Sequence, residues 1–202
     1  MPAKLVLATG NLDKVREISR LLADLDVKIL TLADFPGAPD VVEDGDTLEA
    51  NALKKAREIA AYTGLAAVAD DTGLEVEALD GAPGVCSSRY SGPNATYADN
   101  VRKLLKAMEN VPFEHRVARF RTVVAFCDGE KEETVDGICY GYISETPRGK
   151  GGFGYDPVFY VPEFDQTFAE MSVEQKNSIS HRGRAFSNFR DLLVASQLYL
   201  DS

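Results

Sequence analysis

Hydrophobic and polar residues are spaced along this chain in periods that predict strands and helices in turn. The apolar run at 4–8 predicts a first strand, and residues 12–25 carry an apolar stripe at helical spacing. A second strand is predicted at 27–30. The same criteria predict helices at 46–62, 99–108, from 172 and at 184–200, and strands at 65–69, 74–79, 116–127, 133–143 and 156–161. Alternating strands and helices followed by a hairpin pattern predict an α/β fold with a mixed sheet flanked by helices.

Capping and turn residues place two of these boundaries. Asp46 with Glu49 forms a capping-box pattern, which predicts that the second helix begins at Asp46. Asp128 followed by Gly129 is typical of the tight turn of a β-hairpin. No internal repeat, low-complexity tract or linker interrupts the sequence, so a single domain spanning residues 1–202 is predicted.

The charge balance limits the expected partners. The 202 residues include 22 Lys and Arg against 32 Asp and Glu, which gives a formal net charge of −10. Nucleic-acid polymers bind basic surfaces, so no nucleic-acid polymer is expected as a partner. A small anion remains possible, since a few local Lys and Arg side chains can outweigh the overall field.

Cysteine usage and hydropathy favour a cytoplasmic location. Cys86, Cys127 and Cys139 are odd in number and lack CxxC spacing, so reduced thiols are expected rather than a disulfide frame or metal site. No apolar stretch reaches the roughly eighteen residues of a membrane span, and the N-terminal run is shorter than the apolar region of a signal peptide. We therefore expect no membrane partner.

Two adjacent acids follow the apolar run at 64–69. Asp70 and Asp71 precede Thr72 and Gly73, and a run of this length predicts one buried strand. Open α/β sheets bind ligands at the carboxyl ends of their strands, where these carboxylates are then expected. Adjacent carboxylates repel each other unless a cation, a proton or a basic neighbour compensates them. The alternative is that both acids are ordinary turn residues before Gly73.

A candidate phosphate-binding loop lies between the first strand and the first helix. Backbone N–H groups at a helix N-terminus attract anions, and a glycine lets a phosphate approach closely. The spacing of a Walker A loop is absent. The alternative is that Asn11 only caps the helix. The loop comprises Thr9, Gly10, Asn11, Leu12, Asp13 and Lys14.

Lys55 lies on an otherwise apolar face of the second predicted helix, together with Leu48, Ala52 and Ile59. A lysine in this position either extends along the surface to reach water or directs its ammonium into a polar cleft. The nearby acids at 43–46 favour a charged cleft.

Glu43 and Asp71 form a candidate magnesium pair from separate segments. Mg²⁺ prefers one or two carboxylates together with phosphate oxygens and water, so such a pair would suffice to hold it. The alternative for Glu43 is an ordinary solvated loop acid.

Four glycines and two aromatic residues share the segment 149–157. Such a backbone can bend tightly around a flat ligand, with Phe153 or Tyr155 as the stacking surface. The alternative is a strained loop whose aromatic rings fill the core. Further along, Lys176 and the run 180–183 (Ser-His-Arg-Gly) supply hydrogen-bond donors that suit carbonyl oxygens on a ligand.

In this order, several motifs resemble those of the inosine/xanthosine triphosphate pyrophosphatase family, and the resemblance covers nearly the whole chain. It implies that water attacks the α-phosphate of ITP, dITP or XTP, yielding monophosphate and pyrophosphate and so cleansing the nucleotide pool. It also implies Mg²⁺ as cofactor, a homodimer, and an elongated mixed sheet in two lobes with the substrate cleft between them. The motifs are the segments 5–11, 69–74, 81–84, 88–90, 151–157 and 180–182.

Carried over by position, the resemblance implies a role for each candidate residue. Glu43 and Asp71 would ligate magnesium, Asp71 would also orient or deprotonate the water, and Lys55 would supply a cation. The implied contacts with the nucleoside triphosphate are Thr9, Gly10, Asn11, Leu12, Asp13, Lys14, Thr72, Phe153, Gly154, Tyr155, Asp156, Lys176, His181 and Arg182.

Three other functions compete with this interpretation. A related pyrophosphatase of the septum-inhibitor type, acting on modified pyrimidines, should lack the corner at 180–182. An aspartyl-phosphate phosphatase uses Asp-x-Asp spacing, which the pair at 70–71 lacks. A nucleotide-sensing module without turnover is disfavoured, because two acids would weaken triphosphate binding unless a metal compensates them.

Overall fold

The computed structural model describes residues 3–195, which form an α/β fold of eight strands and five α-helices. The strands are β1 (Ala3–Leu7), β2 (Val27–Thr31), β3 (Ala67–Val76), β4 (Pro83–Gly84), β5 (Val117–Cys127), β6 (Glu132–Ile143), β7 (Phe159–Val161) and β8 (Gln166–Thr167). The helices are α1 (Leu12–Leu21), α2 (Leu48–Thr63), α3 (Tyr97–Ala107), α4 (Val173–Ile179) and α5 (His181–Ala195).

One mixed sheet contains the strands of the described chain. Its order is β2-β1-β3-β5-β6-β7-β8, with β4 paired to β3. Strand β1 runs parallel to both β2 and β3, with Val6 opposite Leu30 and Ala67. The β3–β4, β6–β7 and β7–β8 pairs are antiparallel. The predicted fold class, a mixed sheet flanked by helices, is confirmed.

The chain divides into two compact units, each with its own core. In the first unit, the apolar stripe of α1 packs on the buried strands and on α5. This is the packing that the helical spacing of the stripe predicts. Its described parts are residues 3–71, 122–137 and 183–195. Its core includes Leu5, Leu7, Ile18, Leu22, Val68, Val124, Phe126, Phe186 and Phe189.

The second unit comprises residues 72–121 and 138–182 and is built around aromatic rings. The rings of Phe120 and Phe159 lie 4.6 Å apart, and Phe168 lies 4.8 Å from Phe159. Large apolar residues of α3 and β3 complete this core. The prediction of a single domain stays a prediction.

The largest departure from the predicted elements concerns the acidic pair. Two strands separated by a turn are predicted at 65–69 and 74–79, but β3 runs without a break from Ala67 to Val76. The expectation that Asp70 and Asp71 end a strand, or form a turn, is therefore wrong. The strand continues because Leu74 and the residue after it pair with β4.

Helix boundaries shift where another residue makes the better cap. Helix α2 begins after Thr47 rather than at Asp46, because the Thr47 hydroxyl accepts a hydrogen bond from Ala50 N at 3.1 Å. Helix α3 begins after Thr96, which forms a capping box with Asp99. The helix predicted at 184–200 begins earlier, at His181, and its predicted residues 196–200 lie outside the described chain.

Other predicted ends also move. Helix α1 ends at Leu21 rather than residue 25, and the strand predicted at 156–161 is reduced to β7, Phe159–Val161. The predicted turn between β5 and β6 is confirmed. There Gly129 has a φ of 96° and the Asp128 carboxylate accepts bonds from the backbone N–H groups of Glu130 and Lys131.

Candidate functional site

Two lysines compensate the adjacent acids of β3. Consecutive strand residues point to opposite faces of a sheet, so Asp70 and Asp71 meet different partners. Lys14 Nζ lies 3.0 Å from Asp70 Oδ2, and Lys55 Nζ lies 3.6 Å from Asp71 Oδ1. Both acids are buried. The mutual repulsion predicted for this pair is thus offset by one cation for each acid.

Lys55 directs its ammonium into a polar cluster rather than along the surface. Its side chain is buried on α2, and Nζ donates to Glu43 Oε1 at 2.5 Å and to the carbonyl of Asp70 at 2.7 Å. Ala52 and Ile59, on the same face of α2, are buried as well. Of the two alternatives for Lys55, the charged cleft is the one that the structure adopts.

Burial and charge act in opposite directions on this cluster. Burial lowers the pKa of the Lys55 ammonium, but the carboxylates of Asp71, Glu43 and Asp70 outweigh it, and the net pKa is raised. For Asp71, burial raises the pKa of the carboxyl group and outweighs the lowering by Lys55 and Lys14. Lys55 is therefore charged at neutral pH, and Asp71 is a better base than an exposed aspartate.

Asn51 is a member of the cluster that the sequence analysis missed. Its Nδ2 donates to Asp71 Oδ2 at 3.2 Å, and its Oδ1 accepts from Gly45 N at 2.8 Å. The signal that would have found it is its place four residues before Lys55, on the same buried face of α2. A buried amide on an apolar face requires polar partners, and here they are functional candidates.

The 9–14 loop caps α1 and leaves space beside its glycine. Asn11 Oδ1 accepts bonds from the N–H groups of Asp13 and Lys14, so the capping alternative is realised. Asn11 N in turn donates to Thr9 Oγ1 at 3.2 Å. A Cβ built on Gly10 meets no atom within 4 Å. Neither packing nor a positive φ therefore requires glycine at this position.

Two residues of the loop, Leu12 and Asp13, carry side chains that lie at the protein surface. Leu12 is an exposed apolar side chain, and the Asp13 carboxylate pairs with Arg16 along α1 at 3.2 Å. Any substrate contact by Leu12 or Asp13 is therefore more readily made through the backbone than through the side chain.

The donor set around Lys55 suits a hard cation. Across residues 3–195, no set of three or more His, Cys, Asp or Glu side chains is placed to hold a metal ion. Glu43 and Asp71 both lie against Lys55 Nζ and offer oxygen ligands alone. Two carboxylates are enough for Mg²⁺ when phosphate oxygens and water complete its octahedron.

In the second unit, a buried ion pair fixes the glycine-rich segment. Lys176 Nζ and the N–H of Phe153 both donate to Asp156 Oδ2, at 2.7 and 2.8 Å. A Cβ on Gly152 would lie 2.0 Å from that same oxygen, so only glycine allows the loop to close over the carboxylate. Gly152 and Gly154 also have positive φ angles of 68° and 63°.

Two cations approach the ring of Phe153. Lys176 Nζ lies 5.2 Å and Arg182 Cζ lies 5.5 Å from the ring centroid, distances typical of cation–π contacts. Arg182 Nη2 also donates to Thr72 Oγ1 at 3.1 Å. The Phe153 ring is half-buried and also lies 5.9 Å from the ring of Tyr97, so aromatic and positively charged groups surround it.

Tyr155 and His181 belong to the aromatic core of this unit. The Tyr155 hydroxyl donates to the carbonyl of Ser87 at 2.8 Å, and burial raises the pKa of the phenol. The His181 ring stacks on Phe120 with centroids 4.4 Å apart. Tyr155 therefore fills the core, as one of the two alternatives for the segment 149–157 expects, and the stacking role of Phe153 stays a prediction.

Comparison with known proteins shows which family the chain belongs to. The model of the Ham1 family matches residues 5–192. The chain belongs to the Ham1 family. A curated Ham1 relative, the dITP/XTP pyrophosphatase of Geobacter sulfurreducens, is 53% identical over 191 residues, covering 94% of this chain and 96% of that protein. The dITP/XTP pyrophosphatase of Desulforamulus reducens is 49% identical over 198 residues, covering 98% of each chain.

Solved Ham1 structures share the fold. The HAM1 protein of Coxiella burnetii superposes with a TM-score of 0.87 at 43% identity and covers 96% of this chain and 99% of its own. The Ham1 protein of Staphylococcus aureus gives a TM-score of 0.85 at 35% identity, with the same coverage of both chains. The resemblance found in the motifs is thereby confirmed as family membership.

Two further observations concern the described residues of this Ham1 chain. Within the described residues, Cys86, Cys127 and Cys139 are free thiols, as their spacing predicts. None of the helices in the described part combines the length and apolar character that crossing a membrane requires.

Proposed function

We propose that this chain is a nucleoside triphosphate pyrophosphatase that hydrolyses dITP, ITP and XTP to the monophosphate and pyrophosphate. The observation that carries this proposal is the buried Lys55 ammonium held against two carboxylates, in a chain that matches named dITP/XTP pyrophosphatases along nearly its whole length. Water attacks the α-phosphorus and the phosphoanhydride bond to the β-phosphate breaks, and on a triphosphate with several negative charges this step needs such a combination of base and cations.

In this proposal, Asp71 orients or deprotonates the attacking water. Burial raises the pKa of its carboxyl group, which brings its basicity closer to the working pH. Lys55 and Lys14 place positive charge beside the two acids and attract the triphosphate. The open space over Gly10 admits a phosphate close to the backbone of the 9–14 loop.

We assign Mg²⁺ to the carboxylates of Glu43 and Asp71. When bound, the ion supplies charge that neutralises phosphate oxygens and the developing charge of the leaving group. The oxygen-only donor set supports this assignment, because soft ligands are missing from it. Lys55 then keeps its place beside both carboxylates, where its ammonium balances their charge before the ion arrives.

We propose that a group of residues in the second unit binds the purine base of the nucleotide. Those expected to contact it are Phe153, Gly154, Asp156, Lys176 and Arg182, and those expected to line or support the same site are Thr72, Tyr155 and His181. Donors in this group suit the 6-oxo oxygen of hypoxanthine or xanthine. The 6-amino group of adenine would leave them unpaired, at a cost of about 1–3 kcal/mol for each buried group. Sites of this kind reject the wrong analogue by roughly 10⁴-fold.

A panel of nucleoside triphosphates, assayed with separate detection of pyrophosphate and orthophosphate, tests the proposal. With Mg²⁺ present, dITP, ITP and XTP are expected to yield monophosphate and pyrophosphate, and ATP to react poorly. Removing Mg²⁺ with a chelator is expected to abolish turnover. Orthophosphate with a nucleoside diphosphate as products would refute attack at the α-phosphate.

Replacing Gly10 by alanine tests the 9–14 loop. A methyl group is accommodated in the substrate-free protein, so the unfolding temperature should stay at the wild-type value. The same methyl group occupies the space that we assign to a phosphate, so KM for dITP should rise by about tenfold. Thermal unfolding and initial-rate kinetics measure the two effects. An unchanged KM would remove the loop from the binding site.

The proposal includes a homodimer, a single catalytic domain and a cytoplasmic location. Support for self-association is an exposed aromatic group in the second unit, where Phe113 stacks on Tyr142 at 5.4 Å and Tyr140 is 63% exposed. Three free thiols support a reducing compartment. Light scattering is expected to give twice the mass of one chain, and a monomer mass would contradict the dimer.

A further inference from the structure

Asn51 joins the segment that carries Glu43 to the carboxylate of Asp71. The side chain is 1% exposed. Its oxygen accepts from the backbone N–H of Gly45 at 2.8 Å, and its NH₂ group donates to Asp71 Oδ2 at 3.2 Å. Only one orientation of the amide serves both partners, since an N–H needs an acceptor and a carboxylate needs a donor.

Gly45 is matched to this contact. A Cβ at this position would lie 2.8 Å from Asn51 Oδ1 and 2.9 Å from the Cβ of Ala50. The backbone at 45 therefore packs directly against the first turn of α2, and only glycine permits that approach. Glu43 lies two residues before Gly45, and its carboxylate accepts a hydrogen bond from Lys55 Nζ.

We propose that Asn51 is a positioning residue that holds the Glu43 segment and the Asp71 carboxylate in one fixed arrangement. This inference rests on the proposed function, in which these two carboxylates bind Mg²⁺. Groups that orient metal ligands without touching the metal change metal affinity or activity by about 10–100-fold when they are removed. Asn51 acts at both ligands together, because one planar amide joins the two segments.

Two substitutions test the two hydrogen bonds of the Asn51 amide, which together we call the Asn51 bridge. Asn51→Ala removes both hydrogen bonds, whereas Gly45→Ala leaves the amide in place and displaces only the backbone that it holds. Both are expected to raise the Mg²⁺ concentration for half-maximal activity on dITP by at least about tenfold. In the metal-free protein, both should also increase hydrogen exchange at the amide of residue 45 relative to the wild type.

Asn100 offers a matched control in the second unit. It is also a buried helical asparagine whose amide bridges backbone groups, donating to Ser88 O at 3.0 Å and accepting from Ser91 N at 2.8 Å. Asn100→Ala removes the same number of hydrogen bonds and is expected to lower the unfolding temperature. It should leave the Mg²⁺ dependence and the exchange at residue 45 unchanged.

The decisive measurement is the Mg²⁺ titration of the four proteins, with pyrophosphate release as the readout, beside hydrogen exchange without metal. A raised Mg²⁺ requirement in Asn51→Ala and Gly45→Ala, absent from Asn100→Ala, supports the proposal. Wild-type Mg²⁺ dependence in either variant of the bridge, or an equal change in Asn100→Ala, overturns it. If Asn51→Ala does not fold, the Mg²⁺ titration and hydrogen exchange of Gly45→Ala test the proposal alone.

Failure of the proposed function gives a different result. A wild-type enzyme that releases no pyrophosphate refutes the proposed function, while hydrogen exchange at residue 45 still tests whether Asn51 holds this segment.

Discussion

Replacing Asp71 by asparagine is expected to lower kcat for dITP by about 10³-fold while the protein stays folded. Asparagine keeps the shape of the side chain and can still bond to Asn51, but it neither accepts a proton from water nor offers a charged oxygen to Mg²⁺. Pyrophosphate release under saturating dITP and Mg²⁺ measures the loss.

The stability of the same variant follows from the pKa of Asp71. Burial raises that pKa in the folded protein, so folding favours the protonated acid. The free energy of unfolding therefore falls as pH rises through the folded pKa, because the carboxylate ionises less readily in the folded state than in the unfolded chain. Asparagine removes that cost. Without Mg²⁺ at pH 7, Asp71→Asn should therefore unfold at the wild-type temperature or above it. The difference should vanish as pH falls below about 4, where aspartate is protonated in both states.

Asp44→Asn is the matched control for this charge removal. Asp44 lies on the surface and pairs with Lys54 at 2.7 Å, so neutralising it leaves the contacts of the buried cluster unchanged. Its kinetics should equal those of the wild type. If Asp71→Asn retained more than a tenth of wild-type kcat, Asp71 would lose its assigned role.

Replacing Lys55 by alanine is expected to reduce both activity and stability. The change leaves Glu43, Asp71 and the carbonyl of Asp70 without the buried cation that contacts all three. Breaking a buried ion pair on one side costs about 3–5 kcal/mol of unfolding free energy, because the remaining charges stay desolvated. Loss of one cation beside the triphosphate should lower kcat/KM by about 10²-fold or more.

Lys54→Ala separates this effect from the loss of any lysine on α2. Lys54 is the adjacent residue, but its partner Asp44 is exposed, and exposed pairs contribute about 0–1 kcal/mol. Its variant should match the wild type in urea denaturation and in kinetics. Wild-type behaviour of Lys55→Ala in both measurements would indicate that its buried contacts contribute nothing to function.

The existence and type of most elements could be predicted from the sequence because their periodicity is strong. The stripe of α1 and the hairpin of β5 and β6 are examples. The break predicted within β3 was wrong because Asp, Thr and Gly favour turns locally, whereas pairing with β4 and two lysine partners stabilises the extended strand. Tertiary contacts override turn preference in such a segment.

The candidate site divides in the same way. Lys55 was found because a charge on an apolar helix face breaks a pattern, and Asp71 because acids adjoin a buried run. Asn51 was missed because a single uncharged asparagine on the apolar face of α2 stands out less than a charged side chain does. Tyr155 could not be separated from Phe153, because both rings occur in the same glycine-rich segment and only packing distinguishes them.

By itself, the sequence determined the α/β class, the acidic pair, the lysine on the apolar face and the family motifs, because periodicity and residue chemistry are local properties. Only the tertiary structure decided which charges meet. Lys14 and Lys55 lie 56 and 16 positions from their acids, and such pairings depend on how strands and helices pack. It also decided that Asn51 bridges two segments, because a hydrogen bond between distant residues has no signature in local spacing.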